Sequence, residues 1–234
     1  MCPHPPGTGT VDCRHERESN VATGKMTLHV LPTRTEGAAG NMAVDFLLLQ
    51  RYPAATEPRF RHYAWRAPAF TFGYAQKYSS VRTQLPPGGR FDVCRRATGG
   101  GLVDHRDDWT YALVIPRGHP VEELRATQSY REVHEALAAA LRVQGVPAKT
   151  KVEGVAPNAR SSEPAPKGEG APPSEGPAGV CFQRAELFDV VCEGSGEKIA
   201  GAAQKRNKNG LLLQGSIWRP AAGGAVDWEK FYDD

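Results

Sequence analysis

The chain has 234 residues with a formal net charge of +3, and it is 40% hydrophobic and 24% charged. That balance describes a soluble globular domain of ordinary size with room for extensions, and argues against a disordered chain. The charge is too small to mark nucleic acid as the main partner, and no apolar run approaches the length of a membrane span. Cys2, Cys13, Cys94, Cys181 and Cys192 show no C-x-x-C spacing, so no metal site is expected. Their odd number and the lack of a signal peptide favour a reducing, cytoplasmic setting.

Residues 1–27 are rich in Pro, Gly, Thr and charge and lack periodicity, which predicts a disordered tail. Cys2, His4, Cys13 and His15 lie in that tail, where a metal cluster is not expected. Met26 directly precedes the first strand-like run and is a candidate start of translation. Residues 28–234 then read as one domain. Leu28 to Leu31 is strand-like, and Asn41 is placed to cap a helix whose Met42, Phe46 and Leu49 recur at helical spacing. Arg59–Trp65 and Phe70–Gly73 read as strands, Pro86-Pro87-Gly88-Gly89 as a loop, and Phe91–Arg96 as a further strand.

Next comes Arg95-Arg96-Ala97-Thr98-Gly99-Gly100-Gly101-Leu102-Val103-Asp104-His105, which joins that strand to the strand-like Trp109–Ile115. Three successive glycines are costly to order, and are kept where backbone must approach something closely or adopt positive φ. Bare backbone N–H groups beside fixed positive charge can receive carboxylate or phosphate oxygens, while the plainer reading is a tight hairpin. Val121, Leu124, Val133, Leu137 and Leu141 predict a long amphipathic helix, stopped near Gly145 and Pro147. Residues 153–179 hold six prolines and five glycines and no aromatic, Leu, Ile or Met, so a mobile insertion is expected there, either a lid or a neutral one.

The run Arg-Arg-x-Thr-Gly-Gly-Gly-x-Val-x-His closely resembles the signature loop of the lipoate–protein ligase and octanoyltransferase family, relatives of the biotin protein ligase catalytic domain. Lys198-Ile199-Ala200-Gly201-Ala202-Ala203-Gln204-Lys205-Arg206 resembles that family's lysine segment. Leu211-Leu212-Leu213-Gln214-Gly215-Ser216-Ile217, Asn41-Met42-Ala43-Val44-Asp45 and Phe72-Gly73-Tyr74-Ala75-Gln76 match further blocks, so the resemblance covers residues 28–220 or so. It implies an α+β fold, a mixed and largely antiparallel sheet with packed helices.

Val180-Cys181-Phe182 resembles the nucleophile segment of LipM-type octanoyltransferases. Carried over, Cys181 holds an octanoyl or lipoyl group as a thioester, chemistry that needs a thiolate and a cation or donor near the carbonyl. Cys94 and Cys192 sit in strand patterns, where packing accounts for them. Lys198 matches the family's catalytic lysine, which lies by the acyl carbonyl, where a cation can steady developing negative charge and help position the attacking amine. Ala200, Gly201, Ala202 and Ala203 would leave room for an aliphatic chain. Arg96, Thr98, Gly99, Gly100, Gly101 and His105 match the acyl and carboxyl end of the family pocket, with a binding role expected for His105 and a proton carrier as its alternative. Gly73, Tyr74 and Gln76 are expected in a pocket wall.

Two patterns compete. The unbroken Gly99-Gly100-Gly101 is closer to the ATP-dependent ligases, whereas the transferases commonly carry Arg at the third position. The ligases carry Asn-Asp where this chain has Phe188-Asp189, and generally lack the Cys-Phe nucleophile. The first expectation is therefore a transferase without cofactor, taking octanoyl from acyl carrier protein to the lysine of a lipoyl domain, glycine cleavage H protein or a dehydrogenase E2. The alternative is a ligase using ATP and Mg²⁺ through lipoyl-AMP, and a third is a non-catalytic acyl- or lipoyl-domain-binding protein. The turn 193–197 is two residues longer than usual, an even number that keeps the face of Lys198. Family members usually continue with more helices past the point where this chain stops at Asp234, so a truncated or minimal domain is also an expectation.

Overall fold

The computed structural model describes residues 27–51, 56–152, 185–222 and 226. The expected tail (but for residue 27), the expected insertion and Cys181 lie outside the described residues. Chain order runs β1 (His29–Val30), β2 (Arg34–Glu36), α1 (Ala38–Arg51), β3 (Arg59–Trp65), β4 (Ala69–Phe72), α2 (Tyr78–Arg82), β5 (Asp92–Arg95) and β6 (Leu102–Asp104). It continues with β7 (Asp108–Pro116), α3 (Pro120–Glu123), α4 (Ala126–Val143), β8 (Ala148–Thr150), β9 (Val190–Cys192), β10 (Lys198–Asn207), β11 (Gly210–Trp218) and α5 (Arg219–Ala222).

Eight strands form the main sheet in the order β1-β3-β7-β11-β10-β9-β8, with β2 also on β3; only β1 and β2 pair in parallel, and the fold is the expected α+β class. Side chains of a strand alternate between faces, so β7 serves two cores. Ala112 and Val114 meet Met42, Leu48 and Leu49 of α1, whereas Trp109 and Tyr111 meet Ala138 and Leu141 of α4. Strand β7 is buried on both faces along nearly its whole length, which is why it reads as a continuous apolar run. A small sheet, β5-β4-β6, packs its own core of Phe70, Phe72, Val81 and Leu102. Its outer strands run in opposite directions, and the glycine loop joins them across the end of β4.

Two helix expectations need correction. Asn41 does not cap α1, which starts at Ala38. The cap comes from Asp92 of β5, whose Oδ2 accepts from the Ala38 N–H at 2.5 Å. Asn41 is fully buried inside the helix, donating to the Ala64 carbonyl at 3.1 Å and accepting from Arg61 at 2.8 Å. The single helix expected over 121–141 is two, because Leu124 and Arg125 are extended (ψ 155° and 152°). Each piece has its own start: His119 accepts from the Val121 N–H, and Gln128 reaches back to the Arg125 N–H at 3.3 Å.

Candidate functional site

The glycine loop is built from behind. Gly73 lies so close under it that a Cβ there would sit 2.0 Å from the Gly100 carbonyl oxygen. The Tyr74 N–H donates to the Thr98 carbonyl at 2.8 Å, and Gln76 Oε1 accepts from the Gly73 N–H at 3.1 Å. Tyr74 itself is 64% exposed, with the Lys205 ammonium 5.4 Å from its ring centre. These three residues thus support the loop; they do not line the cavity in front of it. Strand alternation sends Arg95 outward and Arg96 inward. The Arg96 guanidinium donates to Thr71 Oγ1 at 2.7 Å and to the carbonyls of Gly99 and Gly101 at 2.9 Å each. Charge-assisted bonds of this kind hold the loop, and Gly100 takes the φ of +89° that the bend requires.

In front of the loop lies a cavity whose wall includes Arg96, Gly100 and His105 on one side and Lys198, Gly201, Ala202 and Ala203 of β10 on the other. Met42, Tyr63, Thr71, Val103, Thr110, Gln214, Gly215 and Ser216 complete it. Thr98, Gly99 and Gly101 are in the loop but not in this wall; the Thr98 hydroxyl donates to Gln214 Oε1 at 2.8 Å, tying the loop to β11. The other end of Gln214 donates to Asp45 at 2.7 Å. Asp45 is fully buried, and also receives Arg61 at 2.7 Å and the Tyr63 hydroxyl at 2.9 Å. Burial pushes the Asp45 carboxyl above its usual range, against the pull of Arg61 and these donors.

Lys198 stands at the start of β10, where the register with β9 slips between Lys198 and Ala200. The bulge at this edge turns both Ile199 and Ala200 into the α4 core and leaves Lys198 on the cavity wall. Its ammonium pairs with Asp189 Oδ2 at 2.8 Å, the two side chains being 10% and 2% exposed. Asp189 is held in turn by the Tyr130 hydroxyl at 2.6 Å and the Glu186 N–H at 2.7 Å. Tyr130 accepts from the Ala202 N–H at 3.0 Å, closing a ring from α4 back to β10. Burial and the nearby Asp189 carboxylate push the Tyr130 phenol far up, so it stays a donor. One turn along α4, His134 Nδ1 bonds the Phe188 carbonyl at 2.8 Å, and burial pushes its imidazole down to about 4. Phe188 has a φ of +64°, the strained bend that aims Asp189 at Lys198. Gly201 carries the pair on its Cα: a Cβ there would lie 2.7 Å from Lys198 Cε, 2.8 Å from its Nζ and 2.9 Å from Asp189 Oδ1.

The opposite end of the cavity is polar. His105 bonds Thr71 Oγ1 through Nε2 at 2.6 Å and Asp108 Oδ2 through Nδ1 at 2.6 Å, and Trp65 stacks on its ring with centres 4.3 Å apart. Sequence reasoning missed Thr71, Asp108, Thr110, Tyr130, Asp189, Gln214 and Ser216 as site residues. Gln214 and Ser216 did carry a signal, as polar side chains within an otherwise apolar strand. Cys94 and Cys192 are half-buried at core edges, apart from the cavity wall. Among the described residues, no group of three or more His, Cys, Asp or Glu side chains could hold a metal ion.

Fold and site together define an α+β domain whose cavity lies between a glycine loop and a lysine-bearing strand. The chain belongs to the lipoyl protein ligase A/B catalytic domain family, whose model matches residues 38–219. It is 30% identical over 193 residues to octanoyltransferase LipM of Exiguobacterium sp., covering 82% of this chain and 65% of that protein. It is 32% identical to octanoyltransferase LipM of Kyrpidia tusciae, with the same coverage of 82% and 65%. The chain therefore spans about two-thirds, just short of it, of the length of these curated relatives. A bi-partite lipoate protein ligase of Thermoplasma acidophilum, described with its E2 lipoyl domain, superposes with a TM-score of 0.54 at 21% identity, covering 89% of this chain and 70% of that one. At that identity the likeness is one of fold.

Proposed function

We propose that this protein is an acyltransferase of protein lipoylation, moving an octanoyl or lipoyl group from acyl carrier protein through a thioester on Cys181 to the lysine of a lipoyl domain. The acceptor class is the glycine cleavage H protein or a dehydrogenase E2, and the setting is cytoplasmic. The observation that carries the reading is the placement of Lys198, paired with Asp189 and set on a wall otherwise made of small side chains and backbone, across from the glycine loop. Its cation lies where a thioester carbonyl between loop and strand would develop negative charge. Cys181 falls outside the described residues but is four residues upstream of Ala185, a tether that reaches at most about 14 Å. The Ala185 carbonyl accepts from Lys151 at 2.5 Å, and the next residue, Glu186, binds Asp189. In the first half-reaction the Cys181 thiolate attacks the donor thioester, an S–C bond forms and the carrier thiolate leaves. In the second, the acceptor amine attacks, a C–N bond forms and Cys181 is released. A thioester is already activated, so neither half-reaction calls for nucleotide.

The ligase reading has one feature in its favour, the unbroken glycine run. It would need a metal held near Asp189, and the residues present do not fit one: both carboxylate oxygens are engaged, by Tyr130 and by Lys198 with Glu186, and Phe188 offers no ligand. Intact mass after mixing with octanoyl-acyl carrier protein, without nucleotide, is the test, with Cys181→Ala alongside. An octanoyl adduct on the wild type that is absent from the variant is expected. No adduct, but acylation of a lipoyl domain once octanoate, ATP and Mg²⁺ are supplied, overturns the reading in favour of a ligase. No reaction under either condition, with binding retained, makes it a carrier of acyl groups or lipoyl domains.

A further inference from the structure

The rim of the site cavity carries a run of positive charge. From Gly73 to Val103 the chain has five basic residues and one acid, Asp92. Asp92 is occupied elsewhere, its Oδ2 capping α1, and Arg96 is turned into the glycine loop. Arg95 points outward beside the loop: its guanidinium donates to the Tyr74 carbonyl at 2.9 Å and lies 5.1 Å from the centre of the Phe72 ring. The Tyr78 ring is 6.1 Å from that of Phe72 and its side chain is 50% exposed, with the exposed Lys77 just before it.

Strand β10 supplies the other side of the rim. Gly201 and Ala203 line the cavity, and the strand's period of two puts Lys205 on the same face about 7 Å further on. Gln204 and Arg206, on the opposite face, bond to α4 instead. A Cβ on Gly100 would sit 3.8 Å from that of Ala203, and Gly99 and Gly100 are exposed where loop and strand meet, so this is the open side of the cavity. Lys205 and Arg95 stand there on either side of Tyr74. Among the described residues Lys77, Arg95 and Lys205 have no carboxylate partner, whereas the exposed Arg66, Arg106 and Arg131 are paired with Glu36, Asp104 and Glu132.

We propose that Tyr74, Lys77, Tyr78, Arg95 and Lys205 form the surface on which the acceptor protein settles, with acidic side chains around its lysine facing the three cations. This rests on the acyl-transfer reading above. Exposed tyrosine and arginine are side chains that interfaces favour, and complementary charge speeds encounter and fixes register. The two tyrosine faces supply apolar area that the charges lack. Reach selects the acceptor over the donor. An acceptor lysine extends only about 6 Å from its own backbone, so the protein surface around it must come down on the rim itself. A thioester carried on a long flexible arm needs no such approach.

The experiment reads association apart from chemistry, by stopped-flow mixing with a fluorescently labelled dehydrogenase E2 lipoyl domain over a range of salt. Lys77→Glu combined with Lys205→Glu is expected to slow association by about tenfold or more and to flatten its salt dependence, while Lys205→Arg keeps the wild-type rate. A lipoyl domain in which one carboxylate beside the acceptor lysine is exchanged for a lysine should bind the double variant faster than the wild type, a reversal that a folding defect does not produce. Wild-type association and salt dependence in the double variant overturn the surface, as does a wild-type protein that does not bind the lipoyl domain. Formation of the octanoyl adduct from octanoyl-acyl carrier protein is followed in parallel. If the double variant slows that step and leaves lipoyl-domain association unchanged, the rim belongs to the donor and the proposal falls. Absence of any adduct on the wild type overturns the acyl-transfer reading, and the association series then decides the surface by itself.

Discussion

Gly201→Ala tests the construction of the lysine site with a single methyl group. The backbone at Gly201 is in an ordinary conformation, so the whole effect comes from what the methyl meets: Lys198 Cε at 2.7 Å, Nζ at 2.8 Å and Asp189 Oδ1 at 2.9 Å. Ordinary contact needs about 3.5 Å, so the ion pair must lift by roughly 0.7 Å. If the lift lengthens the pair from 2.8 Å to about 3.5 Å, the Coulomb attraction falls by about 1 kcal/mol at an effective dielectric of 20. Overpacking adds about 1–3 kcal/mol, and the loss of glycine entropy in the unfolded chain returns about 0.4–1 kcal/mol. The net expectation is a destabilisation of about 1–3 kcal/mol, lowering Tm by roughly 3–10 °C. The Lys198 ammonium leaves its place by most of an ångström, so octanoyl transfer should fall by about 10–100-fold. Urea denaturation and the transfer assay read both effects. An unchanged midpoint together with an unchanged rate would refute the placement of the pair over Gly201.

The glycine loop offers a matched contrast: Gly73→Ala puts a methyl 2.0 Å from a backbone oxygen and should cost about 3 kcal/mol or more, whereas Gly99→Ala meets nothing within 4 Å and should stabilise by about 0.4–1 kcal/mol in the same denaturation series. His134, pushed from 6.5 down to about 4, binds fewer protons folded than unfolded, so stability rises with pH across that window and about 3 kcal/mol is lost between pH 7 and pH 4. His134→Asn keeps a donor for the Phe188 carbonyl but does not titrate; stability curves from pH 4 to 7 should lose that slope, and a slope as steep as wild type would contradict the assignment. Phe188→Asn places at φ +64° a residue that tolerates the left-handed region, and thermal melts should show a change from neutral to about 1 kcal/mol more stable; a clear loss would mean that the ring's packing outweighs the backbone strain.

What could be read from the sequence was whatever neighbours in sequence decide. Arg59–Trp65 was legible to the residue because its alternation is local, and Trp109–Ile115 because a strand covered on both faces is apolar throughout. The inward aim of Arg96 and outward aim of Arg95 follow from the same period of two. The start of α1 was not legible, since its cap, Asp92, stands 54 residues away. The break at Leu124–Arg125 was hidden because apolar positions keep helical spacing across it. Lys198 was legible through its block, but its face is set by a bulge against β9 that turn length alone does not reveal. Its partners Asp189 and Tyr130 come from a bend and a helix whose meeting is purely tertiary, as are the contacts of His105 with Thr71 and Trp65.

Gly215 bears on how this site can be retailored. It is bare backbone on the cavity side, and on the far side the Tyr111 ring presses where a Cβ would be, 2.1 Å from Cζ. The cavity floor there is one peptide thick and cannot accept a side chain without displacing a buried tyrosine. With Gly201 closed off in the same way by Lys198, variation that reshapes the ligand space is channelled to Met42, Val103 and Ala203. A library randomised at those three positions should hold most of the attainable change in ligand length, while the glycine floor stays fixed across it.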